Sequence, residues 1–204
     1  MGSDNKEKRR RKILLSTGRV ILVSLVLTAA AMMFSFTYAS GKLLDNVEKT
    51  TSSDAFKVME TNTFTGEPFT IDDVKKSGIT VVNVWETTCD PCIREMPYLD
   101  KASKDYDPEK VQIVGLCADV VSADMTVDEK IFSDAKKIVE DTGASYTQIY
   151  ADENLASFLA INKVATPITF VLDNEGNIIK TSLGALSYEG WIQFIDSMLD
   201  GSGN

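Results

Sequence analysis

The sequence predicts an α/β fold with a mixed central sheet, and three observations lead to it. Short apolar, β-branched runs recur from residue 79 onward. The early ones are each followed by a helical pattern of apolar residues. The last two are joined by a tight polar turn and closed by one more amphipathic helix. Alternation of this kind sets strands side by side and puts helices on the faces of the sheet.

Taken in order, Ile79–Trp85 (ITVVNVW) suits a strand buried on both faces. A helix follows from Pro91, with Ile93, Met96, Leu99 and Ala102 recurring every three residues. Pro97 lies inside that pattern, where its missing N–H is expected to kink the helix. Val111–Cys117 (VQIVGLC) reads as the second strand. Thr126-Val127-Asp128-Glu129 has the spacing of a capping box, which makes Thr126 the expected cap. The helix it opens places Ile131, Phe132, Ala135, Ile138 and Val139 on one face, and Gly143 can stop it. Tyr146–Tyr150 is a short strand, and Asp152 can cap a brief helix that buries Leu155, Phe158 and Leu159. Ile168–Leu172 and Asn177–Ser182 form a hairpin turned by Asp173-Asn174-Glu175-Gly176. Ser187 can cap the last helix, whose Trp191, Phe194, Ile195, Met198 and Leu199 make one apolar stripe.

Ahead of this body the chain changes character. Residues 1–40 hold seven basic and two acidic groups, leaving 14 basic and 28 acidic groups in 41–204. A tip of charge +5 therefore precedes a body of charge −14. Between Arg19 and Lys42 lie 22 uncharged residues. As a helix they reach about 33 Å, enough for a bilayer core of about 30 Å. The run is apolar on every face, unlike an amphipathic core helix. A cleaved secretory signal ending at Thr37-Tyr38-Ala39 is the alternative, but the run exceeds the usual apolar region of such signals, which favours an uncleaved anchor. The Lys8–Lys12 cluster should stay cytoplasmic, so residues from 42 onward should face outward. The expected organisation is a basic cytoplasmic tip (1–12), a single-pass transmembrane signal-anchor helix (13–40), a polar tether (41–56) and the α/β domain (57–204).

Composition removes whole classes of function. The chain has no histidine, which excludes Ser-His-Asp and Cys-His catalysis and His-ligated metal or haem. Three cysteines are too few for a disulfide-stapled scaffold. A net charge of −9 argues against nucleic acid as a partner.

The chemistry sits at Cys89-Asp90-Pro91-Cys92. Two thiols at this spacing, at the end of a buried strand and the start of a helix, form a redox device. The first lies where free N–H groups and the positive end of the helix dipole favour a thiolate. The second is one turn along, within disulfide reach. Pro91 suits a first helical turn, and Trp85 is placed to help wall the site. Half a zinc site and two structural thiols are the other readings of the pair. Zinc needs four ligands, and the chain offers neither a second cysteine pair nor a histidine.

WETTCDPCIREMPYL resembles the active-site segment of thioredoxin-fold proteins, and within them of the membrane-tethered TlpA/ResA-like thiol–disulfide oxidoreductases. The resemblance covers about residues 55–200. It rests on the cysteine pair, Trp85, Glu95-Met96-Pro97, Thr166-Pro167 before a strand, and the strand–DNEG–strand hairpin. It implies a thioredoxin-like fold and roles residue by residue. Cys89 is the exposed nucleophile and Cys92 the resolving thiol. Pro167 matches the family's cis-proline, which packs against the pair, and Thr166 offers its backbone to an extended substrate. Trp85, Thr166 and Pro91 are thus expected on the substrate side. Glu95 matches the family's active-site glutamate, although an acid in a first helical turn can equally be a solvated dipole partner. No cofactor beyond the cysteine pair is implied. The implied partners are disulfides of exported proteins, such as apocytochrome c or methionine sulfoxide reductase, and a CcdA/DsbD-type membrane electron donor.

One departure from thioredoxins is informative. Their buried acid six residues before the first cysteine is Asn83 here, which cannot take a proton, so Glu95 acting through water is the better base. Glu86, Asp90 and Glu95 crowd the thiols with negative charge, and Arg94 is the one nearby cation in sequence. Negative charge opposes a thiolate, so the Cys89 pKa is expected at about 7 or above rather than about 3.5. A reductant is expected, with a potential nearer about −270 mV than about −120 mV. Cys117 reads as a buried, inert thiol, with an accessory redox role as its alternative. Two other functions on a similar fold fit less well. A peroxiredoxin-like peroxidase carries Thr where this chain has Glu86, and a metal-delivery module needs a histidine.

Overall fold

The computed structural model describes residues 53–122 and 124–200. The basic tip, the uncharged run and most of the expected tether lie outside these residues. Among the described residues no helix is long and apolar enough to cross a membrane.

The described chain opens with a 3-10 helix, Ser53–Lys57, and a small antiparallel hairpin, β1 (Glu60–Asn62) and β2 (Pro68–Thr70). A one-turn helix, α1 (Ile71–Val74), follows, capped by Thr70. Then come β3 (Ile79–Trp85), α2 (Asp90–Ser103), β4 (Val111–Cys117) and α3 (Glu129–Thr142). The chain continues through β5 (Thr147–Tyr150), α4 (Glu153–Ile161), β6 (Ile168–Asp173), β7 (Ile178–Leu183) and α5 (Tyr188–Leu199). The main sheet has the order β5-β4-β3-β6-β7. β3 pairs parallel with β4, and β4 with β5, whereas β6 runs antiparallel to both β3 and β7. The expected mixed sheet flanked by helices is therefore present, with β3 at its centre and buried at every position.

Because side chains alternate along a strand, β3 feeds two cores. Val81 and Trp85 join Cys92, Met96 and Leu99 of α2 and Trp191 and Ile195 of α5. Val82 and Val84 join Phe56, Leu155, Phe158 and Leu172 on the opposite face. The DNEG turn forms as expected, with Gly176 at φ +80, a left-handed position that glycine adopts without strain. Asn177 belongs to this turn rather than to β7, because its backbone and side-chain nitrogens both donate to the Asp173 carboxylate.

Two expectations are corrected. Ala55 and Phe56, assigned to the tether, are fully buried, and the Phe56 ring packs 5.6 Å from those of Phe158 and Phe170. A single aromatic in a polar stretch gives no periodicity, yet burying it is worth about 1.5–3 kcal/mol and draws the segment into the fold. The cap of α3 is Asp128 and not Thr126: the Asp128 carboxylate accepts from the N–H groups of Lys130 and Ile131. Thr126 instead donates its hydroxyl to Asp124 in the preceding turn. Gly143 ends α3 at φ 68, and Asp152 and Ser187 cap α4 and α5 as expected.

Candidate active site

Beyond Trp85 the chain leaves the sheet, and the Cys89 N–H donates to the Glu86 carbonyl at 3.0 Å, turning the backbone into α2. Cys89 is the N-cap of α2, extended at φ −90 and ψ 90, and its sulfur accepts from the Cys92 N–H at 3.3 Å. This sulfur occupies the place of a capping side chain, so the unpaired N–H groups of the helix start point at it. Cys89 and Cys92 form a disulfide, with S–S 2.04 Å and Cα–Cα 5.3 Å. Cys89 is 9% exposed and Cys92 0%, so an incoming sulfur can reach only the first of the two. Pro91 sits in the first turn and is exposed, as is Asp90.

The segment before β6 meets the one before α2. Thr166-Pro167 is a cis peptide bond, Pro167 is buried, and its carbonyl accepts from the Gly184 N–H at 2.9 Å. The Thr166 hydroxyl donates to the Glu86 carboxylate at 3.4 Å. Among the described residues, the backbone N–H and C=O of Thr166 have no hydrogen-bond partner.

Glu95 is a buried group, not a solvated dipole partner: only 1% of it is exposed. Three residues after Cys92 on α2, it lies on the same side of the helix as that thiol. One carboxylate oxygen accepts from the Asn83 side-chain amide at 3.0 Å, the other from the Leu186 N–H at 3.0 Å. Burial pushes its pKa up to about 7, and the hydrogen bonds from Leu186 and Asn83 and the nearby Trp191 indole only partly offset this. The Trp191 N–H is close enough to act on the carboxylate but makes no hydrogen bond of normal geometry. Asn83 also donates to Thr169 at 3.2 Å, while its own amide oxygen has no partner. Turned about its last torsion, the same amide would offer that oxygen to a protonated Glu95. Asn83 can therefore accompany both states of the carboxyl without holding a proton itself. Tyr146 is buried, its hydroxyl pKa is raised by that burial, and its other neighbours include Glu95.

Trp85 does not wall the site. It is 0% exposed, donates its indole N–H to Gln148 at 3.0 Å and packs near Phe64, so it supports the floor beneath the cysteine loop rather than touching a substrate. Its place at the last position of a strand buried on both faces decides this. Cys117 is buried, donates to Asp119 at 3.2 Å and has its pKa raised by burial first and by Asp119 second, which makes it an inert thiol. Among the described residues no cluster of Cys, Asp and Glu could hold a metal ion. Leu186, Tyr146 and Trp191 were not expected near Glu95. They lie 91, 51 and 96 residues away, and nothing local in the sequence marks them.

Comparison with known proteins agrees with this geometry. The family model described as Redoxin matches residues 47–190. The chain is 25% identical over 182 residues to the thiol-disulfide oxidoreductase ResA of Bacillus subtilis, covering 88% of this chain and 89% of that protein. It is 30% identical over 135 residues to the thiol:disulfide interchange protein HelX of Rhodobacter capsulatus, covering 66% and 69%. Among solved structures it is similar in fold to a thiol:disulfide interchange protein of the thioredoxin family from Chlorobium tepidum. That match has a TM-score of 0.55 and 21% identity, covering 70% of this chain and 96% of the other.

Proposed function

Since the chain belongs to the Redoxin family, and within it resembles the TlpA/ResA-like thioredoxin-fold proteins, we propose that it is a membrane-anchored, extracytoplasmic thiol–disulfide oxidoreductase that reduces disulfides of exported proteins. The observation that carries the exchange chemistry is the asymmetry of the pair. Cys89 is reachable at a helix start, Cys92 is sealed beneath it, and a buried carboxyl with a pKa of about 7 lies one turn further on.

In the reduced protein the Cys89 thiolate attacks one sulfur of the substrate disulfide. A Cys89–substrate disulfide forms, and the other substrate sulfur leaves as a thiolate that takes a proton from solvent. The Cys92 thiol gives its proton to the Glu95 carboxylate, directly or through water, and attacks the Cys89 sulfur. The second substrate thiolate leaves, and the Cys89–Cys92 disulfide remains. Two electrons have passed to the substrate, and the proton on Glu95 returns to it or to solvent. A base near pKa 7 suits this step, because it is available as an acceptor yet basic enough to take the proton at neutral pH. Thr166 would hold the substrate backbone through its free N–H and C=O. Re-reduction requires an external dithiol, for which a CcdA/DsbD-type membrane donor is the natural candidate given an outward-facing domain. Exported proteins with disulfides, apocytochrome c or methionine sulfoxide reductase among them, are the proposed substrates. The uncharged run of residues 20–41 behind a basic tip supports the anchor and its orientation.

Trapping tests the chemistry. Cys92→Ser expressed in intact cells should accumulate mixed disulfides through Cys89, identifiable by mass spectrometry, and Cys89→Ser should abolish exchange. Faster alkylation of Cys92 than of Cys89 in the reduced protein would reverse the assignment. Protease added outside a permeabilised wall should digest the α/β domain and spare the tip; a protected domain would refute the topology.

A further inference from the structure

A cavity of about 430 Å³ opens where the two segments flanking the disulfide meet. Glu86 and Thr166, hydrogen-bonded to each other, both line it. Val84 from β3, Val121 from the loop after β4 and Leu159 from α4 supply apolar walls, and Ser122 and Ser157 supply polar ones. Ala156 and Ala160, one turn apart on α4, keep it open, since a larger residue at either place would fill it. Val84 and Leu159 belong to the core on the face away from α2, so this space is separate from the pocket of Glu95.

Size and lining select the occupant. The volume lies in the range of binding pockets and far above that of a single water. An apolar side chain gains by burial against Val84, Val121 and Leu159. Glu86 is the one charged side chain in the lining. The backbone of Thr166, in the loop before β6, has no partner among the described residues, and along an extended chain two residues span about 6.7 Å with side chains alternating in direction.

We propose that this cavity is a side-chain subsite for the substrate polypeptide. An extended segment lying along Thr166 places an apolar side chain, within two residues of the attacked cystine, into the cavity, with a basic residue two positions along, on the same side, against Glu86. The proposal rests on the thiol–disulfide exchange reading and adds a specificity determinant to it.

The test uses the full-length protein, pre-reduced, and short peptides joined as symmetrical disulfides. Leu or Ser is placed in turn at each of the two positions on either side of the cysteine. Hydroxyethyl disulfide, which has no side chain to seat, is the control. At one of those positions Leu should be favoured over Ser in kcat/KM by roughly tenfold or more, the scale a hydrophobic pocket commands. Ala160→Phe should remove that preference while leaving the rate with hydroxyethyl disulfide within about twofold, and Ala156→Leu is the second filling variant. Lys rather than Glu two positions from the preferred one should add a further gain that Glu86→Gln erases; a gain that survives Glu86→Gln would overturn the placing of Glu86. No preference at any position, or one that survives both filled variants, would overturn the subsite. Failure of the wild-type protein to react with hydroxyethyl disulfide would instead overturn the exchange reading, and the subsite with it.

Discussion

Replacing Glu95 by Gln tests whether the buried carboxyl is as costly to ionise as its surroundings imply. Burial raises its pKa from 4.5 to about 7. Below pH 4.5 the group holds its proton in both the folded and the unfolded chain, and stability gains or loses nothing from it. Between pH 4.5 and about 7 the unfolded chain has released the proton while the folded one keeps it, so stability falls as pH rises. Above about 7 both states are ionised and the loss is complete. At about 1.36 kcal/mol per pH unit, the interval from 4.5 to about 7 is worth roughly 3 kcal/mol. Gln is neutral throughout and fits the same place. Its oxygen can accept from the Leu186 N–H, and its amide can donate to the unpartnered Asn83 oxygen once that side chain turns over. The assay is urea denaturation of the oxidised protein from pH 4.5 to pH 8, wild type against Glu95→Gln. The two stabilities should diverge as pH rises, with the variant ahead by roughly 3 kcal/mol at the alkaline end relative to their difference at pH 4.5. Asp73, Asp100, Asp124 and Asp173, whose pKa values are lowered in the fold, act in the opposite sense, and their stabilisation is lost only at more acid pH. Parallel profiles for the two proteins would refute the raised pKa. The same variant should slow the second step of exchange, seen as accumulation of the Cys89–substrate disulfide.

Three further outcomes are expected. Phe56→Ala should cost about 3–5 kcal/mol in denaturation, because it leaves a cavity among Phe158 and Phe170; a loss below about 1 kcal/mol would return this segment to the tether. Cys117→Ala should leave exchange activity within about twofold and Cys117 should resist alkylation until the protein unfolds, whereas a tenfold fall in activity would make it an accessory redox thiol. The reduction potential of the pair should lie nearer about −270 mV than about −120 mV, since Glu86 and Asp90 oppose a thiolate at Cys89 and Glu95 adds part of a charge at neutral pH; a value above about −150 mV would turn the reductant into an oxidant.

What could be read from the sequence follows from how far each signal reaches along the chain. β3 and β4 run over the residues their apolar, β-branched composition marks, because strands buried on both faces are apolar at most positions, with Thr80, Asn83 and Gln112 the exceptions. Caps at Asp152 and Ser187 were legible because a cap acts within three residues of itself. The capping-box pattern at Thr126 is misleading because Asp128, two residues on, is itself a cap and starts the helix there, accepting from the N–H groups of Lys130 and Ile131. β1, β2 and α1 are three or four residues long, too short for any periodicity to show. At the site, the cysteines announce themselves by spacing and helix position. The state of Glu95 does not, because it is set by Asn83 across the sheet interface and by a backbone N–H at residue 186. Trp85 was misplaced for a related reason. Proximity in sequence to Cys89 suggested a wall of the site, but the pleat of β3 turns its ring inward.

The burial of Phe56 also determines where mechanical load enters the fold. Asn154 donates to the Val58 carbonyl at 3.1 Å and the Glu60 N–H donates to Asp152 at 2.6 Å, so residues 56–60 are fastened to α4. A pull on the chain from its N-terminal side is borne first by the Phe56, Phe158 and Phe170 rings and these two bonds. The three rings lie on the face of the sheet opposite α2. The sheet thus stands between the point of traction and the cysteine helix, and a load entering at Phe56 can be carried without straining the geometry that sets Cys89 above Cys92.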